Sequence, residues 1–186
     1  MNQTVAERDL RHAILEAGFS QVGRVEVGRL RYDPEIRRIC EENRCGNYGA
    51  TWACPPMVGT LEQCRQRCEQ YTGMLLFNRC FPLEDSFDFE GMRTSLFRFK
   101  ELVDALDRRL RLLLARYQLL SNEGCGRCKR CTCPDAPCRF PDRLYHSLEG
   151  YGFSVSQLAQ EAGIRYYHGK NTVTYFGALL FREERA

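Results

Sequence analysis

Five of the chain's eleven cysteines fall within fourteen residues, from Cys125 to Cys138 in the order CGRCKRCTCPDAPC. Cys125, Cys128 and Cys131 follow the C-x2-C-x2-C spacing of a cubane iron-sulfur cluster, in which three thiolates two residues apart wrap a short loop around one cube and reach different irons. A fourth cysteine, from further along or elsewhere, closes such a site. Gly124 and Gly126 allow the backbone to approach the cluster closely. Pro134, Pro137 and Pro141 stiffen the loop and remove backbone donors that could not all be satisfied beside sulfur. The segment therefore predicts a loop built around a redox-active metal centre, and the rest of the chain has to hold that loop.

A length of 186 residues suits a single domain, 1–186, and such a chain buries a sizeable core without disulfides. Metal is thus not required merely to compensate for small size. An odd number of cysteines cannot all pair. The opening MNQTVAERDLRHAI lacks the charged start and apolar stretch of a secretory signal, and no apolar run is long enough to span a bilayer. These features predict a cytoplasmic protein that meets no membrane, in a reducing compartment where clustered cysteines bind metal or do redox chemistry. A net charge of +3 is too small to imply a nucleic-acid partner. Arg108, Arg109, Arg111 and Arg116 are read as a solvated helix face, with Asp104 and Asp107 four residues before two of them.

The periodicity predicts an α/β (α+β) architecture, a mixed sheet flanked by helices with cysteine-rich loops at 40–68 and 124–141. Val5, Leu10, Ala13, Ile14 and Ala17 recur at helical spacing and stop at Gly18. A strand is expected over Gln21 to Val27, and a short helix from Glu35 to Glu42 after the starting pair Asp33-Pro34. Thr60 and Gln63 have capping-box spacing, which predicts a helix from Leu61 to about Tyr71, followed by an apolar strand from Met74 to Phe77. Leu102, Leu106, Leu110, Leu113 and Tyr117 form the stripe of a long helix from about Phe97 to Leu119. Helices near Arg143 to Gly150 and Ser154 to Ala162, then strands at Ile164 to Tyr167 and Thr172 to Phe181, complete the expectation.

Two cysteine constellations carry the chemistry. In the first, the bacterial ferredoxin run C-x2-C-x2-C-x3-C-P is broken after Cys131. Cys133 is too close to Cys131 to be the easy fourth ligand, so Cys138 is the expected one. The alternative is a zinc site, but four-cysteine zinc sites combine two C-x2-C pairs across a longer stretch, whereas here three cysteines crowd one arc. The second constellation is Cys40-x4-Cys45-x8-Cys54, where Cys54 precedes Pro55 and Pro56 and is presented from a rigid turn. Its fourth ligand is open between Cys64, Cys138 and no protein group at all. In the last case one iron is left free to bind substrate as a Lewis acid. Cys68 and Cys80 read as small buried apolar residues.

Other candidates are weaker. His12 in the first helix reads as structural or solvent-exposed, His168 sits beside Gly169 in a turn, and His146 reads as a stand-in ligand or proton donor with no second histidine at metal-binding spacing. Trp52 reads as a core anchor, or as an aromatic wall that keeps water from a cluster. The alternating carboxylates and aromatics of Glu84 to Glu90 suit a helix amino terminus. No Walker loop, Rossmann fingerprint or nucleophile elbow is present.

Cys45-x2-Tyr48-Gly49-x2-Trp52-x-Cys54-Pro55-Pro56, the stretch Leu83 to Glu90, the run from Cys125 to Pro141 and Asn171 to Tyr175 together resemble a family of small prokaryotic, cysteine-rich proteins described as predicted metal-binding proteins with a domain of unknown function. The resemblance runs from about Arg37 to Phe181. It implies metal binding and no particular reaction. By the resemblance, Cys40, Cys45, Cys54, Cys125, Cys128, Cys131 and Cys138 match recurrent cysteines, while Cys68 and Cys80 are particular to this chain.

The expected function is an iron-sulfur protein with one or two [4Fe-4S] clusters that transfers electrons to a redox partner protein. The alternatives are a cluster-dependent enzyme with an open iron acting on a small-molecule substrate, and a structural zinc-binding module.

Overall fold

The computed structural model describes residues 6–122 and 124–182, so Val5 of the expected first helix lies outside the described residues. Five helices and a five-stranded mixed sheet follow one another as α1 (Glu7–Glu16), β1 (Gln21–Val25), α2 (Pro34–Glu41), α3 (Leu61–Cys68), β2 (Gly73–Pro82), α4 (Phe89–Leu113), β3 (Tyr117–Ser121), β4 (His146–Ser147), α5 (Val155–Glu161) and β5 (Thr172–Phe181). The expected α+β class holds. The strand order is β1-β2-β5-β3-β4, antiparallel except for the β3–β4 pair.

The strand sequences GMLLF in β2 and ALLF in β5 are apolar on both faces because both faces are covered. Met74, Leu76, Leu120, Ala178 and Leu180 point into one core with Cys64, Cys68, Tyr151 and Phe153. Leu75, Phe77, Leu119, Leu179 and Phe181 point into the other, against Leu10 and Ile14 of α1 and Phe99, Val103, Leu106 and Leu110 of α4. Burying each Leu, Ile, Val, Phe or Met among them stabilises the fold by about 1.5–3 kcal/mol relative to leaving it in water. Among the described residues, no helix is long and apolar enough to cross a membrane.

Local sequence sets most helix starts. Asp33 caps α2, its side chain accepting from the Glu35 amide at 2.8 Å ahead of Pro34 at the first turn. Thr60 and Gln63 exchange both bonds of a capping box at α3. Asp88, from the acidic stretch, caps α4 by accepting from the Gly91 amide at 2.8 Å, so that stretch does serve as a helix amino terminus.

Several expectations are corrected. β1 stops at Val25 because Val27–Arg29 turn into a 3-10 helix. α3 ends at Cys68, three residues early. β2 runs on past Phe77 to Pro82 because all ten of its residues pair with β5. The long helix begins at Phe89, set by the Asp88 cap, and ends at Leu113, because Tyr117–Ser121 leave it to pair with β5. No helix spans Arg143 to Gly150: 3-10 turns at Pro141–Arg143 and Glu149–Tyr151 flank β4. There the Ser147 amide donates to the Ala53 carbonyl and the Leu148 amide to that of Ser121. Ile164 to Tyr167 form no strand. Side chains take up that backbone, Asn78 donating to the Arg165 carbonyl at 2.9 Å and Gln21 accepting from the Arg165 amide at 3.0 Å.

The arginines are exposed as expected, but not all as expected in their pairing. Arg111 meets Asp107 at 2.9 Å, Arg109 reaches Glu16 of α1, and Arg116 lies beyond the helix. Asp104 turns away from Arg108 toward the cysteine loop.

Candidate metal centre

The loop after β3 has no regular secondary structure from Gly124 to Arg127, and it brings Cys125, Cys128, Cys131 and Cys138 onto one cavity of about 220 Å³. Asn47, Thr51 and Trp52 of the 45–55 segment form the facing wall. Gly124 and Gly126 adopt φ of +60° and +67°, a left-handed conformation that side chains resist. A Cβ on Gly124 would lie 2.8 Å from the Asn47 side-chain oxygen. The wall is tied on by the Trp52 indole, which donates to the Ala136 carbonyl at 3.2 Å. Trp52 is half-buried and belongs to neither core cluster, so it is not the core anchor expected; it ties the loop to the 45–55 segment and borders the cavity.

Further bonds hold the loop's shape. Thr132 donates to the Pro137 carbonyl at 2.9 Å, and the Ala136 amide to the Thr132 carbonyl at 2.9 Å. The Phe140 amide points at the Cys138 sulfur at 3.4 Å. Cys133 is not on the cavity: its sulfur lies 3.6 Å from the Gly49 carbonyl. Arg127, between Cys125 and Cys128, makes a two-pronged contact with Asp104 of α4 at 2.9 and 2.7 Å, and Arg143 adds a third bond at 2.8 Å. These guanidinium groups hold the Asp104 carboxyl below its ordinary range although its burial pushes the other way.

Cys40 at the end of α2, Cys45 in the following turn and Cys54 before Pro55 line a second, larger cavity of about 450 Å³. Ile36, Ile39, Tyr48, Val155, Tyr166 and Phe176 make most of it apolar, and Asn122, Ser147 and Glu149 supply polar groups. Burial pushes the Cys40 thiol up to about 11, helped by the charges of Glu149, Cys54 and Cys45. Burial also raises Cys54, while Thr51, the Gly124 amide and Ser147 beside its sulfur draw it back. Thiols that raise one another in this way resist ionising together unless a cation is placed among them.

Cys64 is not with these three. It is fully buried in the core beside Cys68, its sulfur 3.7 Å from the Val58 carbonyl. Burial raises Cys64, and it pushes Cys68 up to about 12. Cys80 is half-buried on β2. His146 lines neither cysteine cavity. Its Nδ1 sits 3.3 Å from the Tyr151 hydroxyl, and burial with the nearby Arg67 charge lowers the imidazole to about 4. His12 pairs with Glu16, and His168 bonds Thr174. Among the described residues, no three His, Cys, Asp or Glu side chains draw together as a group that could hold a metal ion.

The two cavities share a wall. Cys45, Tyr48 and Cys54 face the larger one while Asn47, Thr51 and Trp52, interleaved with them, face the smaller. The Gly124 amide that reaches Cys54 belongs to the residue preceding Cys125. Asn47, Thr51, Asp104, Asn122, Ser147 and Glu149 carried no sequence signal as site residues, since they join the cysteines only across the fold. A family model described as predicted metal-binding protein (DUF2284) matches residues 23–181. No curated protein and no solved structure matches the chain.

Proposed function

This chain belongs to that family of predicted metal-binding proteins, and from that premise we propose that it is an iron-sulfur redox protein with two centres. The observation that carries the reading is that Cys125, Cys128 and Cys131, at the spacing of a cubane loop, line one cavity with Cys138, although their side chains are not gathered into a single group. That donor set fits a [4Fe-4S] cluster, for which a cubane takes four thiolates. A cluster held there supplies one-electron transfer. The protein's part is to hold four thiolates in a stiff loop, screen them with Trp52 and offer the Phe140 amide to Cys138. Lys129, Arg130 and Arg139 stand exposed around this loop, a basic approach suited to an acidic redox partner.

At the second centre Cys40, Cys45 and Cys54 would hold metal with no fourth cysteine on the cavity, and Cys64 and Cys138 lie elsewhere. The large cavity beside these three thiols favours the reading in which this centre is open to a small molecule, fed with electrons across the shared wall. A structural zinc module explains the four-cysteine loop but gives no role to that cavity.

The test is iron and acid-labile sulfide per chain after anaerobic reconstitution, for the wild type and for Cys128→Ala. About eight irons should fall to about four in the variant, since a cubane holds four. A colourless protein with stoichiometric zinc and no iron uptake would refute the reading.

A further inference from the structure

The larger cavity has a recognition element that metal binding does not use. Asn122, just beyond β3, is 6 % exposed and lines the cavity. The Ser121 hydroxyl donates to its side-chain oxygen at 3.2 Å, while its Nδ2 is buried without a hydrogen-bond partner. A buried amide donor left unmet costs free energy that an incoming acceptor recovers. The lining is aromatic and aliphatic: Tyr166 and Phe176 stack with ring centroids 5.6 Å apart and planes 22° apart, and Ile36 and Ile39 belong to it as well. Ile39 and Tyr166 are half-exposed. A volume of about 450 Å³ falls in the range of small-molecule sites, which combine apolar walls with a few placed polar groups.

Charge narrows the class. Glu149 lines the same cavity and bears on Cys40 as a negative charge, with Arg37 opposing it from outside the lining. Arg44 at the cavity is 84 % exposed and already paired with Glu42 at 2.7 Å. An anionic ligand would meet like charge in the lining, where the arginine present, Arg44, is solvated. We propose that this cavity binds a flat, uncharged, largely apolar molecule through one carbonyl-type acceptor to Asn122 Nδ2. The inference rests on the reading of Cys40, Cys45 and Cys54 as an open centre only for what happens to the ligand, not for its binding.

The experiment measures binding of three probes, acetophenone, ethylbenzene and benzoate, to the metal-free and iron-loaded full chain by ligand-observed NMR. Acetophenone should bind the wild type about tenfold more tightly than ethylbenzene, the worth of one hydrogen bond, and benzoate should bind more weakly than acetophenone. Asn122→Leu should remove the preference, acetophenone then binding no more tightly than ethylbenzene, and a melting temperature close to that of the wild type shows that the variant folds. The inference is overturned if none of the probes binds saturably, if acetophenone and ethylbenzene bind alike, if the preference survives Asn122→Leu, or if benzoate binds best. Failure of iron to load would instead refute the proposed function, since the preference is read in the metal-free chain as well.

Discussion

Replacing Asp104 with Asn tests whether the cysteine loop is held from outside its own sequence. The carboxylate accepts two bonds from Arg127 and one from Arg143. The side chains of Arg127 and Asp104 are only 18 % and 14 % exposed, while Arg143 is 45 % exposed. Charge-assisted bonds contribute about 1.5–3 kcal/mol each when sheltered and breaking a fully buried pair costs about 3–5 kcal/mol. An exposed pair contributes about 0–1 kcal/mol. The Arg127 contact therefore dominates, and Asn, which keeps the shape and loses the charge, should cost about 2–3 kcal/mol. For a chain of this size that lowers the melting temperature by about 5–10 °C. The pH dependence is a second readout. Because the folded-state pKa of Asp104 lies below its ordinary 3.8, the native state holds fewer protons there than the unfolded chain. Its contribution is complete above the unfolded value and disappears as pH falls from about 4 through the folded value. Thermal unfolding of both proteins from pH 7 to pH 3, with iron content after gel filtration, checks this. The variant should melt lower at neutral pH, converge on the wild type in acid, and lose iron from the Cys125–Cys138 site. Equal melting temperatures at pH 7, or a gap that persists in acid, would refute the reasoning.

Gly124→Ala puts a side chain at φ +60° and 2.8 Å from the Asn47 oxygen, so it should cost about 1–2 kcal/mol and weaken iron retention, read by thermal melting and iron content. His146, lowered to about 4 by burial, is neutral in the fold and protonates first in the unfolded chain. Stability should fall by up to about 3 kcal/mol as pH drops from about 6.5 to 4, a window above that of Asp104. His146→Gln should flatten that slope in chemical denaturation, and an unchanged slope would show that the imidazole is solvated.

The sequence carried what is local. Caps at Asp33 and Thr60 are legible because each bonds an amide within three residues, whereas the acidic stretch suggests a helix start without singling out Asp88 as the cap of α4. The spacing of Cys125, Cys128 and Cys131 needed no fold to be recognised. By contrast, Tyr117–Ser121 continue the leucine repeat of α4, and only the open edge of β5 shows that they belong to the sheet. The aromatic, β-branched stretch at Ile164 has strand propensity, but Asn78 and Gln21 occupy its backbone instead. Cys68 reads as buried from the sequence, but that Cys64, one turn before it on α3, goes inward with it and not toward Cys40, Cys45 and Cys54 shows only in the fold. Asp104 and Arg127 stand 23 residues apart, and Asn122 reaches the cavity only because β3 ends there.

The strand order has a consequence for how the protein is made. β5 is the last of the five strands in chain order, yet it lies in the middle of the sheet, paired with β2 on one side and β3 on the other. Domains fold as units during synthesis, and here the sheet cannot close while β5 is still within the ribosome. Every cysteine has by then been made, and Thr174, Tyr175 and Phe176 of β5 complete the wall behind Cys40, Cys45 and Cys54. The wall behind these thiols is thus absent until β5 has left the ribosome and paired with β2 and β3, so the cavity is completed by one of the last events of sheet formation.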